Sequence, residues 1–172
     1  MRVEQKKEEV LELINFIDLT LDEKKMILAW RNHENIKKWM YDAGNIALKN
    51  HLKFIDSLSI SKTKEYLVVK RSTDYIGVVD FTDIDFAKES ADIGLYINPF
   101  EKIKGTGSML LEAGMKYAFE ILKLKTLKLE VFSDNERAIG LYRKFNFKES
   151  GKKVADGRSV VCMEFRDKKE RK

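Results

Sequence analysis

Apolar and polar positions alternate along residues 90–98, and again along 126–132, where Leu127, Leu129 and Val131 interleave with Lys128 and Glu130. A period of two predicts half-buried β-strands. Between them the period changes. Met109, Leu110, Ala113, Gly114, Tyr117, Ala118 and Ile121 recur at helical spacing and predict a helix over 106–122. Asn135, Ala138 and Tyr142 fall at i, i+3 and i+7, on one face of a helix over 135–145. Upstream, 11–18 reads as an opening strand, and Thr20 or Asp22 can cap the next segment. Met26, Ile27, Trp30, Ile36 and Trp39 fit two short helices with a bend near Asn32, and Leu48, Leu52, Ile55 and Leu58 form the stripe of a helix over 48–58. Strands are predicted at 64–70 and 75–81, split by a hairpin loop at 71–74, with a polar connection over 83–89 and a last strand at 159–166. The order is one strand, two or three helices, three strands, then helix, strand, helix, strand. It predicts an α/β chain of α+β character around a mixed sheet, as one domain over 1–172 whose residues 166–172 form a flexible basic tail.

Composition narrows the class. The 172 residues are 44% hydrophobic, enough for a real core, and no apolar run approaches the length of a membrane span. The charged first residues predict no secretory leader. Cys162 is the single cysteine, cannot form an internal disulfide, and is expected as a buried strand residue in a reducing, cytoplasmic setting. Two histidines and one cysteine argue against a catalytic zinc site, and a Ser-His-Asp hydrolase would lack its strained serine turn. The net charge of +5 suits anionic small molecules; no aromatic–basic platform points to nucleic acid.

The chemistry concentrates at Lys102-Ile103-Lys104-Gly105-Thr106-Gly107-Ser108, a glycine-bearing turn that leaves a strand ending at Pro99 and opens a helix. A helix's first turn carries unpaired N–H groups and partial positive charge, so it attracts anions. Glycine lets a phosphate approach closely, and Lys102 and Lys104 add charge. About 30 residues on comes Asn135, Ala138, Leu141, Tyr142, Lys144 and Phe147. This ordered pair, K-x-x-G-x-G then N-x-x-A-x-x-L-Y-x-K-x-x-F, resembles the GCN5-related N-acetyltransferase superfamily. Lys102 stands where that family usually has Gln or Arg, and Asn146 where it has glycine; Asn is the next-best residue for a left-handed turn. Ala29-Trp30-Arg31-Asn32-His33, Trp39-Met40-Tyr41, His51 to Ile55, Ile76-Gly77-Val78, Ile93 to Tyr96 and Tyr117 to Glu120 are similar to its ribosomal-protein and aminosugar branch, above all to the enzymes of pseudaminic-acid biosynthesis.

The resemblance implies a fold in which the strands near 90–98 and 126–132 splay apart around acetyl-CoA, with no metal. It implies that Leu95 and Ile97 pair with the pantetheine arm and that Lys102, Ile103, Lys104, Gly105, Thr106 and Gly107 hold the pyrophosphate. Asn135 and Ala138 would contact the arm, and Tyr142 would give a proton to the leaving thiolate. The base stays open between Glu130, Asp92 and water. Arg31, Met40, Tyr41, His51, Phe54, Thr82 and Tyr96 would bind the acceptor, a UDP-linked 4-amino-4,6-dideoxy sugar acetylated at its 4-amino group for flagellin glycosylation in a bacterium. Two other readings remain, a protein N-terminal or ribosomal-protein acetyltransferase and a non-catalytic CoA-binding module. A homodimer is left open; no membrane or nucleic-acid partner is expected.

Overall fold

A computed structural model describes residues 10–101 and 103–168. Seven strands form one sheet: β1 (Leu11–Asn15), β2 (Glu65–Arg71), β3 (Asp74–Asp85), β4 (Ser90–Ile97), β5 (Thr126–Phe132), β6 (Lys148–Ala155) and β7 (Arg158–Arg166). Their spatial order is β1-β2-β3-β4-β5-β7-β6. Every neighbouring pair is antiparallel except β4 and β5, which are parallel and so need a crossover. That crossover is α4 (Thr106–Lys116), ending in one wide π-helical turn, Tyr117–Ile121.

Local chemistry sets the helix boundaries. The first strand is shorter than expected because Asn15 caps a 3₁₀ turn at Phe16–Asp18. Thr20, rather than Asp22, starts α1 (Leu21–Arg31): its hydroxyl accepts from the Glu23 N–H while the Glu23 carboxylate accepts from the Thr20 N–H. His33 caps the four-residue α2 (Glu34–Lys37), so the bend at Asn32 is a stop and a restart. The stripe in α3 (Leu48–Leu58) lies where its periodicity places it.

β6 escaped the sequence reading for a physical reason. Lys148 to Ala155 carries no apolar alternation because it is an edge strand with almost every side chain in water. Its lysines discourage further strand pairing. β3 also runs past its expected end into the polar segment, through an irregularity between Thr82 and Asp85.

The sheet is covered on both faces. On one, α4 and α5 (Glu136–Lys144) bury Leu110, Leu111, Ala118, Ile139, Tyr142 and Phe147 against Val79, Phe81, Ile93, Leu127 and Leu129. On the other, α1 and α3 bury Ile27, Trp30, Ile55 and Leu58 against Val68 and Val78. Each such side chain contributes roughly 1.5–3 kcal/mol of transfer free energy. Glycines set the closest approaches. A Cβ on Gly77 would lie 2.5 Å from both Leu110 Cδ1 and the Tyr96 carbonyl oxygen, and one on Gly114 2.8 Å from Val79 Cγ1. Among the described residues no helix is long and apolar enough to cross a membrane.

These contacts separate two glycines. Gly77→Ala meets backbone oxygen and is expected to cost about 1–3 kcal/mol in urea unfolding. Gly140→Ala, in α5 with nothing within 4 Å of the added methyl, is expected to gain roughly 0.4–1 kcal/mol.

Candidate active site

The sheet has a built-in opening. β4 and β5 pair at only three positions, Ser90 with Thr126, Ala91 with Leu127 and Asp92 with Lys128. Beyond them β4 stays on β3 as far as Ile97, and β5 stays on β7 as far as Phe132. Each arm is braced on its outer side, so the two diverge and the inner edge of β4 from Ile93 to Ile97 has no β5 partner. Leu95 and Ile97 pack against the α4–α5 core while their backbone lines this opening.

The turn at the mouth has the expected form. Asn98 anchors the exit of β4: its Nδ2 donates to the Tyr75 carbonyl at 2.9 Å and its Oδ1 accepts from the Phe100 N–H. Thr106 Oγ1 donates to the Ile103 carbonyl at 2.6 Å, closing the turn. Gly105 caps α4 at φ +81°, left-handed backbone that glycine adopts without strain, and the space beside it is open. The first intrahelical bond runs from the Met109 N–H to the Gly105 carbonyl, and no side chain caps α4. The N–H groups of Thr106, Gly107 and Ser108 therefore have no acceptor among the described residues. Lys104 is exposed beside them. Lys102, expected here, lies outside the described residues. Gly107 also lies close to α5: a Cβ there would come within 3.2 Å of Leu141 Cδ2.

α5 carries the candidate acid. Asn135 caps it, its Oδ1 accepting from the Ala138 N–H at 3.3 Å. Asn146 adopts φ +68°, the left-handed conformation predicted for it, and turns the chain so that Phe147 packs 5.8 Å from the Tyr142 ring. Tyr142 is buried, and its hydroxyl has no hydrogen-bond partner among the described residues. Burial first, and the charge of Asp80 second, push its proton affinity above the ordinary tyrosine value. The phenol therefore stays protonated across the physiological range.

The opposite face of the opening belongs to α1, α3 and the segment after α2. Arg31, at the end of α1, donates through Nη2 to the Asp42 carbonyl at 2.7 Å, while its Nη1 is buried with no partner among the described residues. Phe54 meets Tyr66 edge-to-face at 5.0 Å, and both pack in the same cluster as Tyr96. Tyr41 stands edge-on to Phe132 at 5.5 Å and donates its hydroxyl to Glu130. Met40 is half-buried beside it, and Thr82 pairs with Asp92 at the foot of the opening.

Two of the expected residues do other work. His51 is buried in α3, and its Nε2 lies 2.8 Å from the Lys24 carbonyl. Burial lowers its proton affinity. Through this nitrogen it ties α3 to α1. Glu130 is held by Lys153 at 2.5 Å as well as by Tyr41. Burial alone would raise its pKa, but these donors outweigh it and keep the carboxylate ionised, which makes it a poor proton acceptor. Asp92, by contrast, is pushed up to about 6 by burial and by Asp83. Cys162 lies on β7 opposite Glu130, as a strand residue, but half-buried rather than buried because it faces this cleft.

Sequence reasoning missed several neighbours. Arg158 stacks 3.5 Å over the Phe132 ring, lies 5.9 Å from the Trp39 ring, and donates to the Lys38 carbonyl at 3.0 Å. It thereby joins β7 to the segment after α2. Asp80 on β3 was missed too, although an aspartate inside the apolar run 76–81 was visible. It sits opposite Gly94 on β4, where a Cβ would lie 2.8 and 2.9 Å from its two carboxylate oxygens. Burial pushes its pKa up to about 7, with no donor hydrogen-bonded to it among the described residues.

Comparison with known proteins identifies the family and the fold. Residues 25–147 match the model of the acetyltransferase (GNAT) family. Acetyltransferase PseH of Campylobacter jejuni is 41% identical over 138 residues, 80% of this chain and 85% of that protein. The crystal structure of Campylobacter jejuni N-acetyltransferase PseH in complex with acetyl coenzyme A superposes with a TM-score of 0.74 at 30% identity, covering 91% of this chain and 99% of that one. The fold is also shared with spermidine N-acetyltransferase from Vibrio cholerae, solved with CoA and spermine, at a TM-score of 0.82 and 23% identity over 92% of this chain and 96% of that one.

Asp80 makes stability depend on pH in a defined direction. Its carboxyl ionises near the ordinary 3.8 when unfolded but only at about 7 in the fold. The folded state therefore carries a penalty above about pH 7 that disappears as pH falls through 4. Asp80→Asn is expected to stabilise the protein at pH 8 by on the order of 2 kcal/mol, discounted for the water that reaches the carboxylate, and to have no such effect at about pH 3.5. Urea melts at the two pH values check this.

Proposed function

The chain belongs to the acetyltransferase (GNAT) family and is an acetyl-CoA-dependent N-acetyltransferase; we propose that its acceptor is the 4-amino group of a UDP-linked 4-amino-4,6-dideoxy sugar of pseudaminic-acid biosynthesis. One observation carries the reading. The opening between β4 and β5 has the unpartnered Tyr142 hydroxyl on one side and the buried, unpartnered Arg31 Nη1 on the other, among the described residues. The pathway implies flagellin glycosylation in a bacterium. The supply of UDP-sugar and acetyl-CoA implies the cytoplasm. A single domain spans the chain.

Acetyl-CoA brings an acetyl group already activated as a thioester. The residues present fit it: a free strand edge, an uncapped helix start with open space at Gly105, and a tyrosine hydroxyl with no other partner among the described residues. The N–H groups of Thr106, Gly107 and Ser108, with Ile103 and Lys104 beside them, hold the pyrophosphate. Lys102 joins them by its place in the motif. The backbone of Leu95 and Ile97 pairs with the pantetheine amides, and an N–H near Ile97 serves as oxyanion donor. Asn135 and Ala138 flank the arm. Tyr142 protonates the departing sulfur.

On the acceptor side, Arg31 Nη1 is suited to a phosphate oxygen, because a buried guanidinium nitrogen without a partner is costly until a ligand satisfies it. Met40, Tyr41 and Phe54 supply apolar and aromatic area, extended by Trp39, Phe132 and Arg158, for a flat base. Thr82 and Tyr96 approach the sugar. A linear polyamine would use neither the arginines nor this aromatic rim.

The deciding assay compares the UDP-aminosugar, the free aminosugar, spermidine and a peptide amine. The UDP-aminosugar is expected to be acetylated far better than the others, and UDP alone to compete with it. Arg31→Ala is expected to raise its KM roughly 10- to 150-fold with unchanged acetyl-CoA affinity. Preference for the peptide without inhibition by UDP would instead favour a protein acetyltransferase. Tyr142→Phe removes only the hydroxyl, and kcat is expected to fall by about 10²–10⁴ while calorimetric acetyl-CoA affinity is kept. Near-normal turnover would assign that proton to water.

A further inference from the structure

We propose that Asp80 is the proton acceptor for the substrate amine, presented from β3 to the cleft through the space that Gly94 leaves in β4. The inference rests on the N-acetyltransferase reading above and deepens it. Gly94 lies in the splayed part of β4, two residues beyond the last pairing with β5. A Cβ there would sit 2.8 Å from an Asp80 carboxylate oxygen, so any larger residue must displace the carboxylate. The missing side chain therefore leaves the carboxylate beside the opening, on the face of α1 and α3, where the acceptor enters. Its oxygens are not sealed, since Arg31 Nη1 is the one fully enclosed side-chain polar atom without a partner among the described residues.

The other carboxylates serve less well. Glu130 is committed to Lys153 and Tyr41. Asp92 stands at the last paired position, at the closed foot of the opening, opposite Lys128 and beside Asp83. Asp80 alone among the described carboxylates acts electrostatically on the Tyr142 hydroxyl. The two groups are therefore electrostatically coupled, from opposite faces of the sheet.

Asp80 acts electrostatically on Tyr66 from β2, Tyr96 from β4 and Tyr142 from α5, and Arg31 from α1 acts on the first two of these tyrosines. The three tyrosines are held neutral by burial, and no lysine or arginine makes ion-pair contact with Asp80 among the described residues. Its pKa, raised to about 7, suits a general base. The carboxylate is ionised often enough to accept a proton and basic enough to hold it.

The step balances. The acceptor ammonium passes one proton to Asp80 and becomes a neutral amine, whose lone pair forms the C–N bond to the thioester carbon. The C–S bond breaks, and the sulfur takes the Tyr142 proton. The second nitrogen proton returns through solvent to the phenolate, and Asp80 releases its own to water. Ammonium and thioester become amide, thiol and one free proton.

The test is the pH profile of kcat/KM from about pH 5.5 to 9.5 for wild type, Asp80→Asn and Asp80→Glu, on both the UDP-aminosugar and spermidine. Wild type is expected to lose activity below about pH 7 with unit slope. Asp80→Asn should remove that limb and lower kcat/KM at pH 8 by about 10²–10⁴, with acetyl-CoA affinity unchanged, and Asp80→Glu should restore part of both. Gly94→Ala, which keeps the carboxylate but displaces it, should lower kcat and move the limb. An unaltered limb with near-normal rate in Asp80→Asn would overturn the proposal, as would loss of the limb in Asp92→Asn instead. If only spermidine is turned over, the acceptor reading fails, and the comparison of wild type with Asp80→Asn on spermidine still decides the base.

Discussion

The parting of β4 from β5 after three residue pairs is the constraint on which everything else hangs. A sheet normally satisfies every inner strand edge, and leaving one open costs hydrogen bonds. Here β3 braces β4 through seven pairs and β7 braces β5 through another seven, so the arms hold their course without each other. The unpaired backbone between them is a site that already expects a ligand's amides. The turn at Gly105 and the start of α4 lie at its mouth because β4 leads into them, and Tyr142 lies beside it because α5 follows directly from the other arm.

The opening also makes the two faces of the sheet different solvents. On the α4–α5 face the residues around Tyr142 are apolar, and the phenol keeps its proton. On the α1–α3 face the carboxylates of Asp80, Asp92 and Glu130 are each tuned by their own surroundings. Glu130 is pinned by two donors; Asp80 has none among the described residues. Two carboxylates on one face thus titrate in opposite directions, one through burial and the other through its donors.

Much of this was legible in the chain. Strong periodicity located α3, α4, β4 and β5 within a residue or two, because burial on one face writes itself into the pattern. The paired motifs identified the turn and the left-handed Asn146. β6 was illegible since an edge strand in water has no burial to record. The tie of His51 to the Lys24 carbonyl was not legible, because it joins two helices 27 positions apart. Asp80 and Gly94 are 14 positions apart and acquire meaning only through the register that sets them face to face. Arg158 over Phe132 depends on the hairpin folding back, which no local spacing announces.

The strand order carries a consequence for how the molecule is made. β7 lies between β5 and β6, so the outer brace of β5 is the last of the seven strands to leave the ribosome. Lys153 and Arg158, which fasten Glu130 and Phe132, emerge just ahead of it or with it. A nascent chain can hold its first four strands and the α4 turn while β5 still lacks the neighbour that keeps it apart from β4. The opening thus has both of its outer braces only once β7, the last strand in the chain, has joined the sheet.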